Sequence, residues 1–202
     1  MNRELLFLAS YLIGSIPTGY WLVWLVKKTD VRRHGSGNIG MTNVWRVAGA
    51  PWGLLTLLLD IAKGVLVVWL SRHFFPQQVW IPLEAAFAVL VGNVFTVFLK
   101  FKGGKGIGVS VGVFFSLLPL ESALGAAAFA AAVGFTRMIS AGSLCAVTIM
   151  TATAFFFEGF CPTACFALLA GILVWWTHRE NIKRILRGTE NRLGRKKSGD
   201  PK

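Results

Sequence analysis

The sequence contains few charged residues. Only 15% of its 202 residues are Asp, Glu, Lys or Arg, whereas a soluble domain carries about 25%. Hydrophobic residues make up 54% of the chain, and the mean hydropathy is +0.60. This composition excludes an ordinary soluble domain and predicts a chain that is folded largely in lipid.

Cysteine and histidine are also scarce, with three residues of each. Cys145, Cys161 and Cys165 lie in apolar segments, in odd number and without the spacing of metal ligands. They therefore predict neither a disulfide framework nor a zinc site. Cys161 and Cys165 are spaced to share a helix face, but we expect all three thiols to act as small apolar filler. We expect no metal and no cofactor.

Long apolar runs are what the sequence has instead. Leu5 to Val26 contains no charged residue, which is long enough to span a bilayer and too long for the apolar core of a signal peptide. Six further runs follow, at 52–70, 79–99, 107–120, 122–136, 139–157 and 160–177. The sequence predicts an all-α integral membrane protein with seven transmembrane helices.

Basic residues decide the predicted orientation. Pro119 followed by Glu121 favours a break within 107–136. Charge supports the break separately, because one long helix there would put Arg137 and the C-terminal segment on opposite faces, with the nine cations of that segment outside. With seven spans and the N-terminus outside, 18 of the 21 Lys and Arg residues face the cytoplasm, as the positive-inside rule requires. The net charge of +12 then needs no nucleic acid partner. We predict a membrane domain over 1–182 and a basic cytoplasmic tail over 183–202, lying near anionic lipid or simply solvated.

The first cytoplasmic loop, residues 30–46, is rich in glycine. Gly35, Gly37 and Gly40 match the dinucleotide-binding spacing G-x-G-x-x-G, but a membrane span precedes them where that motif needs a strand. Glycine-rich backbone can instead turn several N–H groups toward an anion. The residues of this loop in the predicted phosphate site are Ser36, Gly37, Asn38, Thr42, Asn43 and Arg46. The alternative is an ordinary turn with a cytoplasmic arginine.

Two more cytoplasmic segments and one helix carry notable polar groups. Lys105 lies among Gly103, Gly104 and Gly106, which allows a close approach of the backbone to an anion, although a flexible basic turn has the same composition. His178 and Asn181 are three residues apart and share a helix face, while Glu180 faces elsewhere, toward Lys183 or Arg184. Ser140, at the mouth of the sixth span, is a hydrogen-bond donor to the same region or a helix cap.

Asp60 and Lys63 lie inside the second span. Each costs about 2.5–3.5 kcal/mol at the centre of a membrane helix, so both must face the protein interior and have partners. We predict a structural ion pair, with a proton or ion path as the alternative.

Five motifs together resemble the bacterial PlsY family of acyl-phosphate:glycerol-3-phosphate acyltransferases. They are GSIPTGYW, DVRRHGSGNIGMTNVWR, LTLLLDIAKG, GNVFTVFLKFKGGKG and HRENIKRILRGTENRLG. The resemblance implies transfer of a fatty acyl group from acyl phosphate to the 1-hydroxyl of glycerol 3-phosphate, giving lysophosphatidic acid at the start of phospholipid synthesis. It also implies a bacterial inner-membrane location, an active site on the cytoplasmic side, and a soluble partner enzyme that produces acyl phosphate.

The resemblance also implies roles for individual residues. Ser36, Arg46, Lys105 and the motif glycines match phosphate-holding positions. Ser140, His178 and Asn181 match polar positions around the reacting groups, so that the predicted catalytic set is Lys105, Ser140, His178 and Asn181. Three positions depart from the family pattern: Asn93 replaces a histidine, Thr96 a proline and Met41 an alanine.

Because Asn93 cannot take a proton near pH 7, a substrate phosphate or His178 must accept the hydroxyl proton. Acyltransferases that use acyl-CoA or acyl-carrier protein commonly have a histidine followed four residues later by aspartate, and none of the three histidines is so placed. The non-enzymatic alternative is a transporter of glycerol phosphate or a related organic anion, which would need polar groups across the membrane midplane.

Overall fold

The computed structural model describes residues 2–194 and contains no strand in that range. Its helices are α1 (Arg3–Ser15), α2 (Thr18–Lys27), α3 (Met41–Ala48), α4 (Ala50–Phe74), α5 (Trp80–Val94), α6 (Ile107–Leu117), α7 (Pro119–Thr136), α8 (Ile139–Glu158), α9 (Pro162–Thr177) and α10 (Arg179–Leu186). Short 3₁₀ turns at Val31–Arg33 and Val97–Leu99 complete the fold. The all-α prediction is confirmed for this part of the chain.

Five helical stretches of the described residues are long and apolar enough to cross a membrane: Arg3–Lys27, Ala50–Phe74, Trp80–Leu99, Pro119–Thr136 and Ile139–Glu158. The apolar helices α6 and α9 are shorter. Large apolar side chains on the outer surface are exposed, among them Leu58, Trp69 and Ile172, as expected for a surface that faces lipid. Seven crossings and their orientation remain predictions.

The first span differs from the continuous helix that the sequence suggested. It ends at Ser15 and restarts at Thr18, because Pro17 has no N–H to donate and cannot continue a helix. The carbonyl of Ile16 accepts a hydrogen bond from the Lys63 ammonium at 2.7 Å, and the Thr18 hydroxyl donates to Asp60 at 2.6 Å. The polar pair of α4 therefore contacts the chain on both sides of the break, at the Ile16 carbonyl and at the Thr18 hydroxyl.

A second break separates α6 from α7 at Leu118, directly before Pro119. The prediction that 107–136 forms two helices agrees with this geometry. α7 and α8 then pack side by side along much of their length, and with α6 they enclose an apolar space.

Two helix pairs approach each other through glycine. A Cβ added to Gly14 of α1 would lie 2.1 Å from the Val89 carbonyl oxygen, and one added to Gly92 of α5 would lie 2.2 Å from that of Tyr11. Gly112 of α6 contacts α4 in the same way. Small residues are the usual means of close helix packing in lipid, where the hydrophobic effect does not drive helix association.

The C-terminal segment contacts the membrane helices near the predicted boundary at residue 182. α10 runs across residue 182, and Glu190 is buried against residues of α8 and α10. The division into a membrane domain and a basic tail stays a prediction, and residues 195–202 of the predicted tail lie outside the described residues.

Candidate active site

One cavity of about 520 Å³ joins the three polar segments that the sequence singled out. Its polar end is lined by Ser36, Thr42, Arg46, Lys105, His178 and Asn181. Its apolar end lies between α6, α7 and α8 and is lined by residues such as Phe114, Ala126, Phe129, Val147 and Met150. The cavity is thus amphipathic along its length.

The loop before α3 is organised around the side chain of Asn43, which is 1% exposed. Its amide donates to the carbonyls of Val31, His34 and Asn38 at 2.9–3.1 Å, and its side-chain oxygen accepts from the Ser36 N–H at 2.8 Å. Every polar atom of this side chain is therefore used within the loop. Asn43 holds the shape of the predicted phosphate site and lines the cavity together with Ser36, Asn38, Thr42 and Arg46.

Glycine is required at two kinds of position in these loops. Gly35 and Gly37 have φ of +59° and +72°, which side chains with a Cβ rarely adopt. In the second loop, a Cβ on Gly103 would lie 2.1 Å from the Asn93 carbonyl oxygen. Gly37 and Gly103 do not line the cavity; they shape the backbone, whereas Gly104 and Gly106 form part of its wall.

The second loop is fixed to the neighbouring helices. The N–H groups of Gly103 and Gly104 donate to the carbonyls of Val94 and Asn93, each at 3.0 Å, and the Thr177 hydroxyl donates to the Lys105 carbonyl at 3.2 Å. Lys105 therefore projects from a held backbone rather than from a flexible turn.

A chain of hydrogen bonds links Lys105 to a buried carboxylate that the sequence analysis did not identify. The Lys105 ammonium donates to the side-chain oxygen of Asn181, and the Asn181 amide donates to Glu190 at 2.7 Å. Glu190 also accepts from the Ser140 hydroxyl at 2.9 Å and from Arg184 at 2.7 Å. We call these five residues the Glu190 network.

Electrostatics at the polar end favour a bound anion. Burial, together with the nearby cations Arg184 and Arg46, lowers the pKa of Lys105 to about 8, although Glu190 opposes this. Burial raises the pKa of Glu190, but the hydrogen bonds from Asn181, Arg184 and Ser140 outweigh it and hold this pKa below the usual value. Three cations thus surround a single carboxylate, and an added phosphate would offset the remaining positive charge.

His178 is buried and neutral. Its Nδ1 lies 2.8 Å from the Val174 carbonyl, which can only accept, so Nδ1 carries the proton and Nε2 is free to accept one. Burial and the nearby Lys105 charge lower the pKa of His178 to about 4. The imidazole is therefore a hydrogen-bond acceptor at neutral pH.

The remaining predicted residues also have defined positions. Asp60 and Lys63 form an ion pair of 2.7 Å, and Asp60 lines the cavity wall. Asn93 is buried and lines the cavity as well, while Thr96 donates to the Ser15 carbonyl at 2.5 Å. Glu180 pairs with Lys183 at 3.0 Å on the exposed side of α10. No group of metal-binding side chains occurs within residues 2–194.

Glu190 and Arg184 were the functional candidates that sequence reasoning missed. Both lie in a basic segment that resembles an ordinary cytoplasmic tail, and Glu190 stands 50 residues from Ser140. Its one signal was its place in the last family-like motif, where Glu180 and Glu190 are the two carboxylates among basic residues.

Comparison with known proteins agrees with this geometry. The family model described as glycerol-3-phosphate acyltransferase matches residues 4–188. The chain belongs to the glycerol-3-phosphate acyltransferase family. Family members from Endomicrobium trichonymphae and Syntrophotalea carbinolica are 40% and 43% identical to it, over 95% and 94% of this chain and 96% of each relative.

Two crystal structures from the family also match the fold. They show PlsY, an integral membrane glycerol 3-phosphate acyltransferase, in a glycerol 3-phosphate form and in a lysophosphatidic acid form. The first has a TM-score of 0.87 and 31% identity, covering 95% of this chain and 96% of the PlsY chain. The chain is thus an integral membrane protein of an acyltransferase family, and the predicted resemblance is confirmed.

Proposed function

We propose that this protein transfers a fatty acyl group from acyl phosphate to the sn-1 hydroxyl of glycerol 3-phosphate. The products are lysophosphatidic acid and inorganic phosphate, and the reaction begins phospholipid synthesis. The observation that carries the proposal is the amphipathic cavity, whose cationic end suits two phosphates and whose apolar end suits one long chain. The crystal structures of PlsY in a glycerol 3-phosphate form and in a lysophosphatidic acid form support the same assignment.

The residues at the polar end supply what this reaction needs. Acyl phosphate is already activated, so the enzyme must hold two anions and place the hydroxyl about 3–3.5 Å from the carbonyl carbon. Arg46 and Lys105 bind phosphate oxygens, and the uncapped N-termini of α3 and α6 add N–H donors. Ser140 and Asn181, both fixed by Glu190, position Lys105 and the reacting groups.

In the proposed step, the glycerol hydroxyl oxygen bonds to the acyl carbonyl carbon. The bond from that carbon to the phosphate oxygen breaks, and phosphate leaves with the electron pair. The hydroxyl proton passes to a phosphate oxygen, while Nε2 of His178 accepts a hydrogen bond from the neighbouring 2-hydroxyl and so orients the glycerol backbone. No cofactor enters the step.

We place the protein in the inner membrane of a bacterium, with the cavity mouth in the cytoplasm, where a soluble enzyme would supply acyl phosphate. The support is the collection of basic loops around the cavity mouth. Single cysteines at Lys102 and Gln77, both exposed, test the orientation in a protein lacking its three native cysteines. An impermeant maleimide should label position 77 and spare position 102 in intact cells; the opposite pattern contradicts the orientation.

The deciding experiment uses purified protein with acyl phosphate and labelled glycerol 3-phosphate. We expect 1-acyl-glycerol 3-phosphate from acyl phosphate and none from acyl-CoA or acyl-carrier protein, with the acyl position read by NMR. Arg46→Ala and Lys105→Ala should each lower kcat/KM at least tenfold, since each removes a cation that holds phosphate in the transition state. Uptake of glycerol 3-phosphate into vesicles without product formation would favour the transporter alternative.

A further inference from the structure

Two serine hydroxyls in the cavity wall have no hydrogen-bond partner among the described residues. They belong to Ser110 of α6 and Ser122 of α7, which are 7% and 6% exposed. A buried hydroxyl without a partner destabilises a protein, so such a group points to a ligand that completes it. Nearly all other serine and threonine hydroxyls in the membrane helices donate to a backbone carbonyl or to a carboxylate, as Ser116 does to Gly112 at 2.7 Å.

Ser110 lies where the polar and apolar parts of the cavity meet. It is one helical turn after Gly106, and its N–H donates to the Gly106 carbonyl at 2.7 Å. A Cβ on Gly106 would lie 4.0 Å from the Ser110 hydroxyl oxygen, so this hydroxyl is on the side of the helix that faces the Lys105 loop. One turn further along, the wall continues with the apolar side chain of Phe114.

The N-terminus of α6 lines the cavity beside Ser110. Gly106 caps the helix without a side chain, and Ile107 and Gly108 also line the cavity. If Lys105 holds the donor phosphate and the chain extends past Phe114, the group between them is the acyl carbonyl. A hydroxyl here has the placement that oxyanion stabilisation requires, with the donor fixed before the charge develops.

We propose that the Ser110 hydroxyl donates a hydrogen bond to the acyl carbonyl oxygen and strengthens that bond as negative charge develops during transfer. The inference rests on the proposed function and adds one catalytic residue to it. Ser110 keeps its proton throughout. The glycerol oxygen adds to the carbonyl carbon, and the carbonyl oxygen becomes negative. The carbonyl double bond then forms again as phosphate leaves with the bonding electron pair and the negative charge.

The test compares Ser110→Ala with Ser116→Ala, a serine of the same helix that does not line the cavity. Removing an unpartnered buried hydroxyl should leave the melting temperature of the apo protein unchanged or raise it. Loss of an oxyanion donor lowers kcat by about 10²–10³-fold. We therefore expect a stable Ser110→Ala protein with a large loss in kcat and little change in KM for acyl phosphate, and near-normal kinetics for Ser116→Ala.

A spectroscopic measurement keeps the inference testable apart from rate. A non-reactive acyl phosphonate carrying a ¹³C-labelled carbonyl reports hydrogen bonding by a lowered carbonyl stretching frequency. The stretch should move back upward in Ser110→Ala and stay in place in Ser116→Ala and Ser110→Thr. An unchanged stretch and a wild-type kcat in Ser110→Ala would overturn the role of Ser110 and leave the proposed function intact, whereas a wild-type enzyme that forms no lysophosphatidic acid overturns both.

Discussion

Two buried carboxylates, Asp60 and Glu190, take part in very different arrangements. Asp60 has its cation, Lys63, three residues away on the same helix. The pair also binds the Thr18 hydroxyl and the Ile16 carbonyl at the break between α1 and α2. Glu190 takes donors from α8 and α10, up to 50 residues distant, and connects through Asn181 to Lys105. The comparison indicates that Asp60 serves mainly the fold, while Glu190 serves mainly the geometry of the site.

Of substitutions at these two carboxylates, Glu190→Ala should lower the activity most. Without the carboxylate, Asn181 and Ser140 lose their acceptor and Arg184 loses its counter-charge, so Lys105 is no longer positioned. We expect kcat/KM to fall by about 10²-fold, the size of losing one preorganised electrostatic contact. Steady-state kinetics on folded, monodisperse protein measures the change.

Glu190→Gln supplies the matched control, because it keeps an acceptor oxygen for Asn181 and Ser140 but loses the charge. It should retain more activity than the alanine variant. Equal, near-wild-type activity in both variants would show that Glu190 does not position the site.

Asp60→Ala should lower the stability of the protein more than its catalytic activity. It leaves the Lys63 ammonium buried with one partner fewer, and breaking a buried pair in this way costs about 3–5 kcal/mol of stability. The double variant Asp60→Leu/Lys63→Met should recover much of that loss, because no buried charge remains. Thermal unfolding in detergent measures both, and a double variant as unstable as the single one would contradict a structural ion pair.

Lys105 should give a pH dependence that Lys102, an exposed lysine of the same loop, does not. Because the folded-state pKa of Lys105 is lowered to about 8 from an ordinary 10.5, the ammonium loses its charge above pH 8. kcat/KM should fall above that pH, since phosphate loses a cation. Lys102→Met should keep this alkaline limb.

The stability of the apo protein should show the opposite trend. Between about pH 8 and 10.5 the unfolded chain holds the Lys105 proton that the folded protein has released, so this group adds stability as the pH rises. Lys105→Met should remove that contribution. A melting temperature whose pH dependence is unaffected by Lys105→Met would contradict the lowered pKa.

His178 should show the smallest effect when its hydrogen bonding is preserved. A general base typically contributes about 10²–10⁴-fold, but with a pKa of about 4 the imidazole is a weak base. His178→Gln should retain most of kcat, His178→Ala should lose more, and no acidic limb near pH 6.5 should belong to imidazole. Equal thousandfold losses in both variants, with substrate binding intact, would make His178 the base.

The sequence by itself was sufficient for properties that depend on local spacing and solvent preference. Apolar runs of helical length predicted the membrane helices, Pro119 predicted the break between α6 and α7, and the three-residue spacing of Asp60 and Lys63 predicted their pairing. Each of these follows from interactions within a few residues of chain or from the cost of polar groups in lipid.

Only the tertiary structure decided which side chains share the cavity and what each one does there. Asn43 has a side-chain amide that could donate to a phosphate, yet all the hydrogen bonds of that amide are to backbone groups of its own loop. Ser110 lies in no quoted motif, and the motif that contains Glu190 does not show its role. The role of Glu190 arises from partners on other helices, and that of Ser110 from the lack of a partner. Whether a side chain is buried and hydrogen-bonded depends on which distant segments pack around it. The order of residues along the chain does not show this directly.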